Sequence, residues 1–521
     1  MRDRKSERTK KTKGLGKVAI MKNECSRRDA LKGVAASIVA AAFRRGAAQE
    51  GRGPKPGEGA IEFESSDAKL VDGFRWAKQQ ALAYARTDGS IGPWYEASLP
   101  DRNAFCMRDV SHHSTGAQFL GLGPRTLNMM RRFAASISAS KKWCAWWEIT
   151  RDNVPAPVDY NNDHDFWYDL PASFDVVDAC YRQWLWSRDN AYLDEVFLSY
   201  YRHTMTDYVA AWNRGGGELL KHLPGDGHMG IATYDEDLED DVLVGSDLIA
   251  TQYAAYRRYA AMEKFRHEAN VAAEFDRKAD ELKELYNSKW WDTAHNRFFG
   301  GLSEDGKFHS DLKEGTGRCT LELPLYYGLP APGPKTEASL KIVEERLAMD
   351  EAATQGVIGG VEGRSYMADI FYMYGRSHAG YSAMTAMMDP ALKRREYPEV
   401  SYTAIGALGS GLMGIRPALE EGTIETFPQL TAETNWAALH HVPAGKNTIS
   451  VKHQANGKTE LTNEAGPELT WRAGFPGKTS SLLVNDKRNP AMSRVRIGGA
   501  AESYCEVRVK AGETCVVAVV S

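Results

Sequence analysis

The sequence lacks a surplus of either charge, since 65 basic and 69 acidic side chains give a formal net charge of −4. Nucleic acid is therefore not expected as a partner, because its binding relies on a positive surface. The seven cysteines form no C-x-x-C pair, so neither a metal nor any other cofactor is expected. Cys505 and Cys515, on two predicted neighbouring strands, either pair after export or remain isolated thiols.

Long apolar runs are also missing, and the most apolar stretch near the N-terminus is too short to cross a membrane. Residues 1–48 instead have the composition of an export signal. Arg27 and Arg28 precede a weakly apolar stretch from Gly33 to Phe43, which resembles a twin-arginine signal cleaved after Ala48. We expect a periplasmic or secreted protein with no stable membrane insertion after signal removal.

Helical periodicity dominates residues 66–415, where two kinds of helix alternate. Segments such as 274–291 and 335–349 have a charged face, whereas 319–329 and 401–415 are almost entirely apolar. An outer ring of amphipathic helices around an inner ring of apolar ones accounts for this alternation. We therefore predict a mainly α protein, an (α/α)6 toroid of six helical hairpins; an irregular α-solenoid is the alternative, although no repeat is visible.

The last hundred residues change to a period of two. In "SYCEVRVK", Cys505, Val507 and Val509 alternate with charged residues, and similar segments recur about every ten residues between Gly, Asn and Pro turns. This pattern predicts a C-terminal antiparallel β-sandwich over residues 421–521, following a catalytic (α/α)6 domain over residues 49–420.

Polar and aromatic residues concentrate in the segments that precede the predicted apolar helices. If those helices run in one direction, their entrances lie at one end of the toroid and form a shared basin. The candidate residues in these segments are Arg108, Asp109, His112, His113, Trp146, Trp147, Asp163, Asp165, Trp167, Tyr168, Tyr234, Asp235, Glu236, Arg318, Arg376 and His378.

Two carboxyl groups across a cleft suffice to hydrolyse a glycosidic bond, one donating a proton and the other activating water or attacking carbon. We assign Asp109, Asp165, Glu236 and His112 as catalytic candidates and the remaining residues of the basin as substrate-binding ones. The arginines and histidines favour a sugar that carries a carboxylate, and the tryptophans favour stacking on sugar rings.

Structural roles remain open for several of these residues. Asp163 and Asp175 have the position of helix caps, and Asp109 fits a buried Arg-Asp-His network. The run "DEDLEDD" fits a solvated surface, from which only Asp235 or Glu236 is retained as a candidate.

The segments "FCMRDVSHHSTGAQFLGL", "VDYNNDHDFWYDLPASFDVVDACYRQWLWSRD" and "GTIETFPQLTAETNWAALHHVPAGKNTISVKH" resemble the six-hairpin glycosidase superfamily of bacterial secreted enzymes. The closest branch is the β-glucuronidase family 154 of the glycoside hydrolases, and the likeness spans about residues 55–490. The resemblance implies an (α/α)6 barrel, a C-terminal β-sandwich and hydrolysis of glycosides of uronic acids.

Two other functions fit the same residues. A polysaccharide lyase or unsaturated-uronyl hydrolase would use His112, Tyr168 or Tyr234 near the sugar acid. A non-catalytic glycan-binding protein would keep the aromatic and arginine residues and tolerate loss of the carboxylates. In each case the expected partner is an acidic oligosaccharide or polysaccharide.

Overall fold

The computed structural model describes residues 54–55, 57–215, 217–223, 225–234, 242–310, 319–352, 360–418 and 422–520. The predicted export signal lies outside the described residues, as do three candidate site residues: Asp235, Glu236 and Arg318. Within the described ranges, no helix combines the length and apolarity needed to cross a membrane.

Helices account for most of the described residues before residue 413. The principal ones that the structure describes are α1 (Ala68–Ala83), α2 (Met107–Phe119), α3 (Gly123–Ala135), α4 (Pro171–Ser187), α5 (Glu195–His203), α6 (Ser246–Phe265), α7 (Ala269–Lys289), α8 (Cys319–Tyr326), α9 (Pro334–Ala352), α10 (Gly360–Met373), α11 (Ser377–Met388) and α12 (Pro398–Gly406). Helix α5 continues through a π-helical turn, Thr204–Tyr208, into Val209–Trp212, and α12 continues through Ala407–Leu412.

Every second helix belongs to an inner group. Helices α2, α4, α6, α8, α10 and α12 contact one another in that order, and α12 returns to α2, so the contacts close a cycle. Their partners lie outside and bury one face; α7, for example, buries five residues among its 21. Because inner and outer helices alternate along the chain, the inner helices begin at one end of the cycle and finish at the other.

The sequence pattern missed one inner helix. Helix α10 begins within the glycine-containing segment "QGVIGGVEG", whose composition indicates a turn. Both α10 and α11 are apolar, so the alternation of amphipathic and apolar helices fails there. As a result, "YGRSHAGY" was expected near an inner-helix entrance. It lies instead at the exit of α10, because Arg376 and His378 follow Met373.

Close packing of α2 on α12 depends on Gly116. A Cβ atom there would overlap the backbone carbonyl of Tyr402. We expect Gly116→Ala to destabilise the protein by about 3 kcal/mol, the upper end for overpacking, because two rigid helices must move apart. Chemical denaturation measures the loss. Gly457→Ala, which adds a Cβ with nothing within 4 Å, is the control; equal stability of the two variants would contradict the prediction.

Strands form two sheets in the C-terminal region, as the period of two predicts. Those used below are β1 (Glu62–Ser65), β2 (Arg416–Pro417), β3 (Thr423–Thr426), β4 (Trp436–Ala444), β5 (Asn447–Gln454), β6 (Lys458–Ala465), β7 (Leu469–Pro476), β8 (Ser481–Val484), β9 (Lys487–Pro490), β10 (Met492–Val495), β11 (Ala501–Val509) and β12 (Thr514–Val519). One sheet has the order β1-β4-β5-β6-β12-β8-β9 and the other β2-β3-β7-β11-β10.

The expectation of a purely antiparallel arrangement is wrong for one pair, since β3 and β7 run parallel with Ile424 opposite Trp471. After β3 the chain passes into the first sheet, where it forms β4, β5 and β6, and then returns to the second sheet as β7. Because β3 and β7 are joined by this crossover and not by a hairpin, they run parallel. Strand β1, far away in sequence, extends the first sheet by pairing with β4. Cys505 and Cys515 lie in different sheets, and both are free thiols.

The sheets contact the ends of inner helices where those helices finish. The backbone N–H of Gly445 donates to the carbonyl of Trp186 at 2.8 Å, and the Arg188 guanidinium donates to the carbonyl of Ala418 at 2.7 Å. Both contacts are made at or just after the end of α4. The helix entrances therefore lie at the other end, away from these contacts.

Candidate active site

Short strands lie in the segments that lead into the inner helices, and some of them pair segments that enter different helices. Besides β1, the strands before residue 310 are Ala85–Arg86, Trp94–Tyr95, Ala104–Cys106, Glu148–Thr150, Tyr160–Asn162, Asp165–Phe166, Tyr168–Asp169, Met229–Ile231, Val244–Gly245, Trp291–Asp292, Arg297–Phe298, Gly301–Leu302 and Phe308–His309. The strand before α4 pairs in parallel with the strand Met229–Ile231, which belongs to the segment entering α6. Side chains from distant parts of the sequence are thereby held at one end of the cycle.

Arg108, in the first turn of α2, joins three of these segments. Its guanidinium donates to the carbonyl of Tyr234 at 3.1 Å and to the Asp169 carboxylate at 3.4 Å. It also lies over the rings of Trp147 and Tyr234, 5.4 and 4.8 Å from their centroids. The side chain is 21% exposed. A cation is thus oriented by aromatic faces and remains partly accessible.

Asp109 is the next residue and is partly exposed. Its carboxylate accepts a hydrogen bond from the Cys106 thiol. Burial and the nearby Asp109 charge raise the pKa of Cys106 well above its ordinary value, so the thiol stays protonated and available as a donor. Asp109 therefore combines a fixed orientation with access to solvent.

Asp175 has a different environment. It is 2% exposed, and its carboxyl oxygen accepts a hydrogen bond of 2.5 Å from the Tyr327 hydroxyl. Burial raises the pKa of Asp175 well above its ordinary value, against the opposing effect of the Tyr327 bond. The helix-cap interpretation of Asp175 is wrong, because Asp169 accepts the backbone N–H of Ala172 at 3.1 Å instead. Burial therefore favours the protonated form of Asp175.

Asp247 fixes the Tyr234 segment to the start of α6. Its carboxylate accepts the Thr233 hydroxyl at 2.8 Å and the backbone N–H of Tyr234 at 2.7 Å. Because the group is fully buried, its pKa rises to about 7 despite these hydrogen bonds. It thereby positions the Tyr234 carbonyl that Arg108 uses.

The raised pKa of Asp247 predicts how stability varies with pH. Between about pH 4, where an ordinary Asp ionises, and about pH 7, the unfolded chain loses this proton while the folded protein keeps it. This group alone therefore lowers stability as pH rises, by about 1.4 kcal/mol per pH unit across that window, and adds nothing further above it. Asp247→Asn should remove this slope in denaturation experiments; parallel pH profiles would contradict the expectation.

The adjacent histidines face different neighbours. His112 stacks on Tyr366 of α10 with the ring centroids 3.7 Å apart, and it is nearly buried. Burial lowers the pKa of His112 well below its ordinary value, and the Arg182 charge lowers it further, so the imidazole is neutral. His113 is fully buried and stacks on Tyr402 of α12. Its expected contact with substrate is wrong, since it has no accessible surface.

The aromatic candidates also differ in how much of each side chain is accessible to solvent. Trp147 and Trp167 pack edge to face, 4.6 Å between centroids, with a small exposed edge each. Trp146 is half-buried beside Tyr160. Tyr168 is fully buried, and its hydroxyl is 2.7 Å from the Ser173 hydroxyl, so its expected contact with substrate is wrong and it belongs to the core.

The acidic candidates Asp163 and Asp165 lie in the hairpin Tyr160–Phe166, at the rim. Asp163 accepts hydrogen bonds from the hydroxyls of Ser140 and Tyr160. Asp165 is 45% exposed and pairs with the His228 imidazole at 2.9 Å. Neither is held like Asp109 or Asp175.

Arg376 and His378 do not join this group. They lie where α10 ends, at the opposite end of the helix cycle. The Arg376 guanidinium pairs with the carboxylate of Glu337 on α9. Their expected part in substrate binding is wrong, because the fifth entrance was assigned to the wrong helix.

A line of charged residues on α4 was overlooked in the sequence. Asp175, Asp178 and Arg182 are spaced by three and four residues and so share one helix face. Asp178 binds the guanidinium groups of Arg182 at 2.7 Å and Arg258 at 2.8 Å. On α10, Asp369 is half-buried, and burial raises its pKa to about 6. The signal was the i, i+3, i+7 spacing within an otherwise apolar helix.

Metal ligands do not account for this arrangement. In the described part of the chain, no group of three His, Cys, Asp or Glu residues is placed to hold a metal ion. What the site offers is a buried acid with a raised pKa, Asp175, a partly exposed carboxylate, Asp109, and an oriented guanidinium, Arg108.

A scan against protein-family models and a search of curated proteins each found no match. Solved structures do match. The α-L-rhamnosidase from Dictyoglumus thermophilum gives a TM-score of 0.57 at 13% identity over 89% of this chain and 51% of that one. A family GH78 rhamnosidase of Bacillus sp. GL1 gives 0.55 at 14% identity over 78% and 40%.

A putative kojibiose phosphorylase from human microbiome gives a TM-score of 0.54 at 9% identity, over 87% of this chain and 63% of that one. The chain thus spans less than two thirds of the length of each of these structures. At such identities the likeness shows a shared fold: a helical body followed by a sheet-rich region.

Proposed function

We propose that this protein is a glycoside hydrolase, an (α/α)6 toroid with a C-terminal β-sandwich, which acts on glycans that contain uronic acids in the manner of a β-glucuronidase. The observation that carries the proposal is the contrast between two carboxyl groups: Asp175 is buried with a pKa well above its ordinary value, while Asp109, the residue after Arg108, is partly exposed. Environments that give two carboxyl groups different pKa values in this way are typical of glycosidases.

The two groups take different roles. Asp175 donates its proton to the leaving oxygen, and Tyr327 then stabilises the carboxylate that forms, since its hydroxyl already donates to Asp175. Asp109 acts at the anomeric carbon, directly or through water, with the Cys106 thiol orienting it. Asp165 and Glu236 are the alternatives for this second carboxylate.

Arg108 supplies recognition of the sugar acid. A guanidinium presents its N–H donors in a planar fork that matches a carboxylate, and the Arg108 side chain is exposed enough for a ligand to approach it. Trp147 and Trp167 are almost completely buried and form the fixed aromatic wall against which Arg108 lies. Because the fold is shared with rhamnosidases, the comparisons support a glycosidase, and the choice of uronic acid depends on Arg108.

The experiment is a comparison of aryl glycosides with one leaving group. We expect 4-nitrophenyl β-glucuronide to be hydrolysed with a kcat/KM at least about tenfold above that of the β-glucoside, because a hydrogen bond between two charged groups contributes about 1.4 kcal/mol or more. An Arg108→Met variant should remove this preference. Faster hydrolysis of the α-rhamnoside than of either substrate would contradict the uronic-acid assignment.

A second reaction of the same toroid fold is favoured by one observation. Burial favours the neutral form of His112, the form in which the base of a lyase accepts a proton, although the same burial makes this imidazole a weak base. A lyase would raise the ultraviolet absorbance of the conjugated double bond in its product, and an unsaturated-uronyl hydrolase would lower it. A glycan-binding protein without activity would change neither signal and would bind sugar equally well after Asp109→Asn.

We also propose export through the twin-arginine signal. Support comes from the sequence of residues 1–48 alone. Replacing Arg27 and Arg28 by lysine should leave the full-length precursor in the cytoplasm; unchanged processing after Ala48 would contradict this route.

A further inference from the structure

A second cleft lies at the same end of the helix cycle, beside the candidate active site. Its volume is about 140 Å³, and its walls include Lys141, Lys142, Asp163, Phe166 and Trp212. We call it the lysine cleft. Ligand pockets usually measure about 300–1,000 Å³, so this cleft has room for one charged group of a larger ligand and not for the whole ligand.

Lys141 carries a buried cation in this cleft. Its side chain is 5% exposed. Among the described residues, the Ser138 hydroxyl at 2.7 Å is the one hydrogen-bond acceptor of the ammonium group, and the Asp163 carboxylate is farther away at 3.9 Å. An ammonium group has three N–H donors. Burial lowers the pKa of Lys141, while Asp163 raises it, so an anionic ligand would relieve an incompletely satisfied charge.

Lys142 brings a second cation to the cleft. Its ammonium lies 4.4 Å from the centroid of the Trp212 ring and 3.4 Å from the Asp226 carboxylate. Asp226 is shared with Arg214, whose guanidinium is closer at 2.9 Å. Of these charged groups, Lys141, Lys142 and Asp163 line the cleft, so its lining has a positive excess.

The apolar wall of the cleft is formed by Phe166 and Trp212. Both rings are buried, and Lys142 and Arg214 lie over the Trp212 ring, so this wall holds the cations in place and is not a stacking surface. The Asp163 carboxylate is oriented by Ser140 and Tyr160 to accept sugar hydroxyls. An apolar surface with a few placed polar groups is the usual composition of a small-molecule site.

Aromatic rings connect the lysine cleft with the Arg108 site. Trp167 packs on Trp147, and Phe166 directly precedes Trp167 in the chain and lies 6.3 Å from Tyr160. Tyr160 packs on Trp146, whose ring in turn faces the Lys141 ammonium. Because most of these rings are buried, they fix the two places relative to each other, and one extended ligand on the surface above them would reach both.

We propose that the lysine cleft is a second binding site, which takes the carboxylate of one sugar unit of an acidic oligosaccharide bound at the same time to the Arg108 site. This inference rests on the proposed function for the identity of the sugar, but the binding itself requires no hydrolysis. It implies that longer acidic chains bind more tightly than single aryl glycosides.

The probe is a tetrasaccharide of alternating glucuronic acid and N-acetylglucosamine, with the N-acetylglucosamine tetrasaccharide as the neutral comparison, measured by calorimetry. We expect Lys142→Met to weaken binding of the acidic probe about tenfold and to leave neutral binding unchanged. Lys141→Met should act in the same direction. The matched control is Lys452→Met, because Lys452 also lies over a tryptophan ring, 5.3 Å from the centroid of Trp436 in the C-terminal sheet.

Failure of this inference is distinguishable from failure of the proposed function. If the wild-type protein hydrolyses aryl glucuronide but Lys142→Met binds the acidic tetrasaccharide as tightly as Lys452→Met does, the lysine cleft is not a sugar site. If Lys142→Met weakens binding while the wild-type protein hydrolyses no glycoside, the cleft stands and the hydrolase assignment falls. Thermal unfolding of each variant excludes loss of folding as the cause.

Discussion

Replacing Asp109 by asparagine is expected to lower kcat about 10³-fold on every aryl glucuronide, the range of positioned acid and base groups. In the proposed mechanism Asp109 acts at the anomeric carbon, so the quality of the leaving group cannot compensate for its loss. Initial rates with 4-nitrophenyl and 2,4-dinitrophenyl glucuronides provide the measurement.

Asp175→Asn is expected to behave differently on the same two substrates. A poor leaving group needs the proton that Asp175 holds, whereas dinitrophenolate departs without it. The variant should therefore lose most activity on alkyl glucuronides and little on the dinitrophenyl substrate. The alkaline limb of the kcat/KM profile should also disappear, an effect that a purely structural role would not produce.

Asp165→Asn is the matched comparison for both variants. Its carboxylate is at the rim and pairs with His228, so we expect a change of at most a few fold. Should this variant lose activity while Asp109→Asn retains it, the second catalytic carboxylate is the rim residue and the assignment given above is wrong.

The second large effect concerns stability. Asp178→Asn leaves the guanidinium groups of Arg182 and Arg258 facing each other without their shared counter-ion. We expect a loss of about 3 kcal/mol, the lower end for a broken buried pair, because the Arg258 side chain is 37% exposed. Urea denaturation with a common m-value measures it.

The neighbouring arginine provides the control. Arg257 pairs with Asp276 at 2.7 Å on the outer side of the same helix, where the aspartate is 50% exposed. Asp276→Asn should cost at most about 1 kcal/mol, because solvent screens an exposed pair. Equal losses of unfolding free energy for the two variants would contradict the prediction, because they would show that burial does not strengthen the inner pair.

Much of the fold could be predicted because local patterns are strong in this chain. The apolar faces of α4 and α6 and the alternation in β11 give the helical body and the sheet region directly. The failures are specific: α10 was missed because its entrance contains glycines, and β3 was expected to run antiparallel because a crossover leaves no local mark. Pairing of β1 with β4 joins residues about 375 positions apart, which periodicity does not encode.

The candidate site was predicted only in part. Arg108 and Asp109 were found because an Arg-Asp pair before an apolar helix is unusual, whereas Asp175 was interpreted as a cap. Its chemistry depends on Tyr327, which lies 152 positions later in the chain.

By itself, the sequence determined the class of each segment and which helix entrances carry polar residues, because periodicity and charge are local properties. Only the tertiary structure decided three other properties. Burial favours the protonated form of Asp175, His113 is inaccessible to solvent, and Arg376 lies at the end of the helix cycle opposite the candidate site. These properties depend on burial and on distant partners, and the free energy of desolvation is set by neighbours that folding brings together.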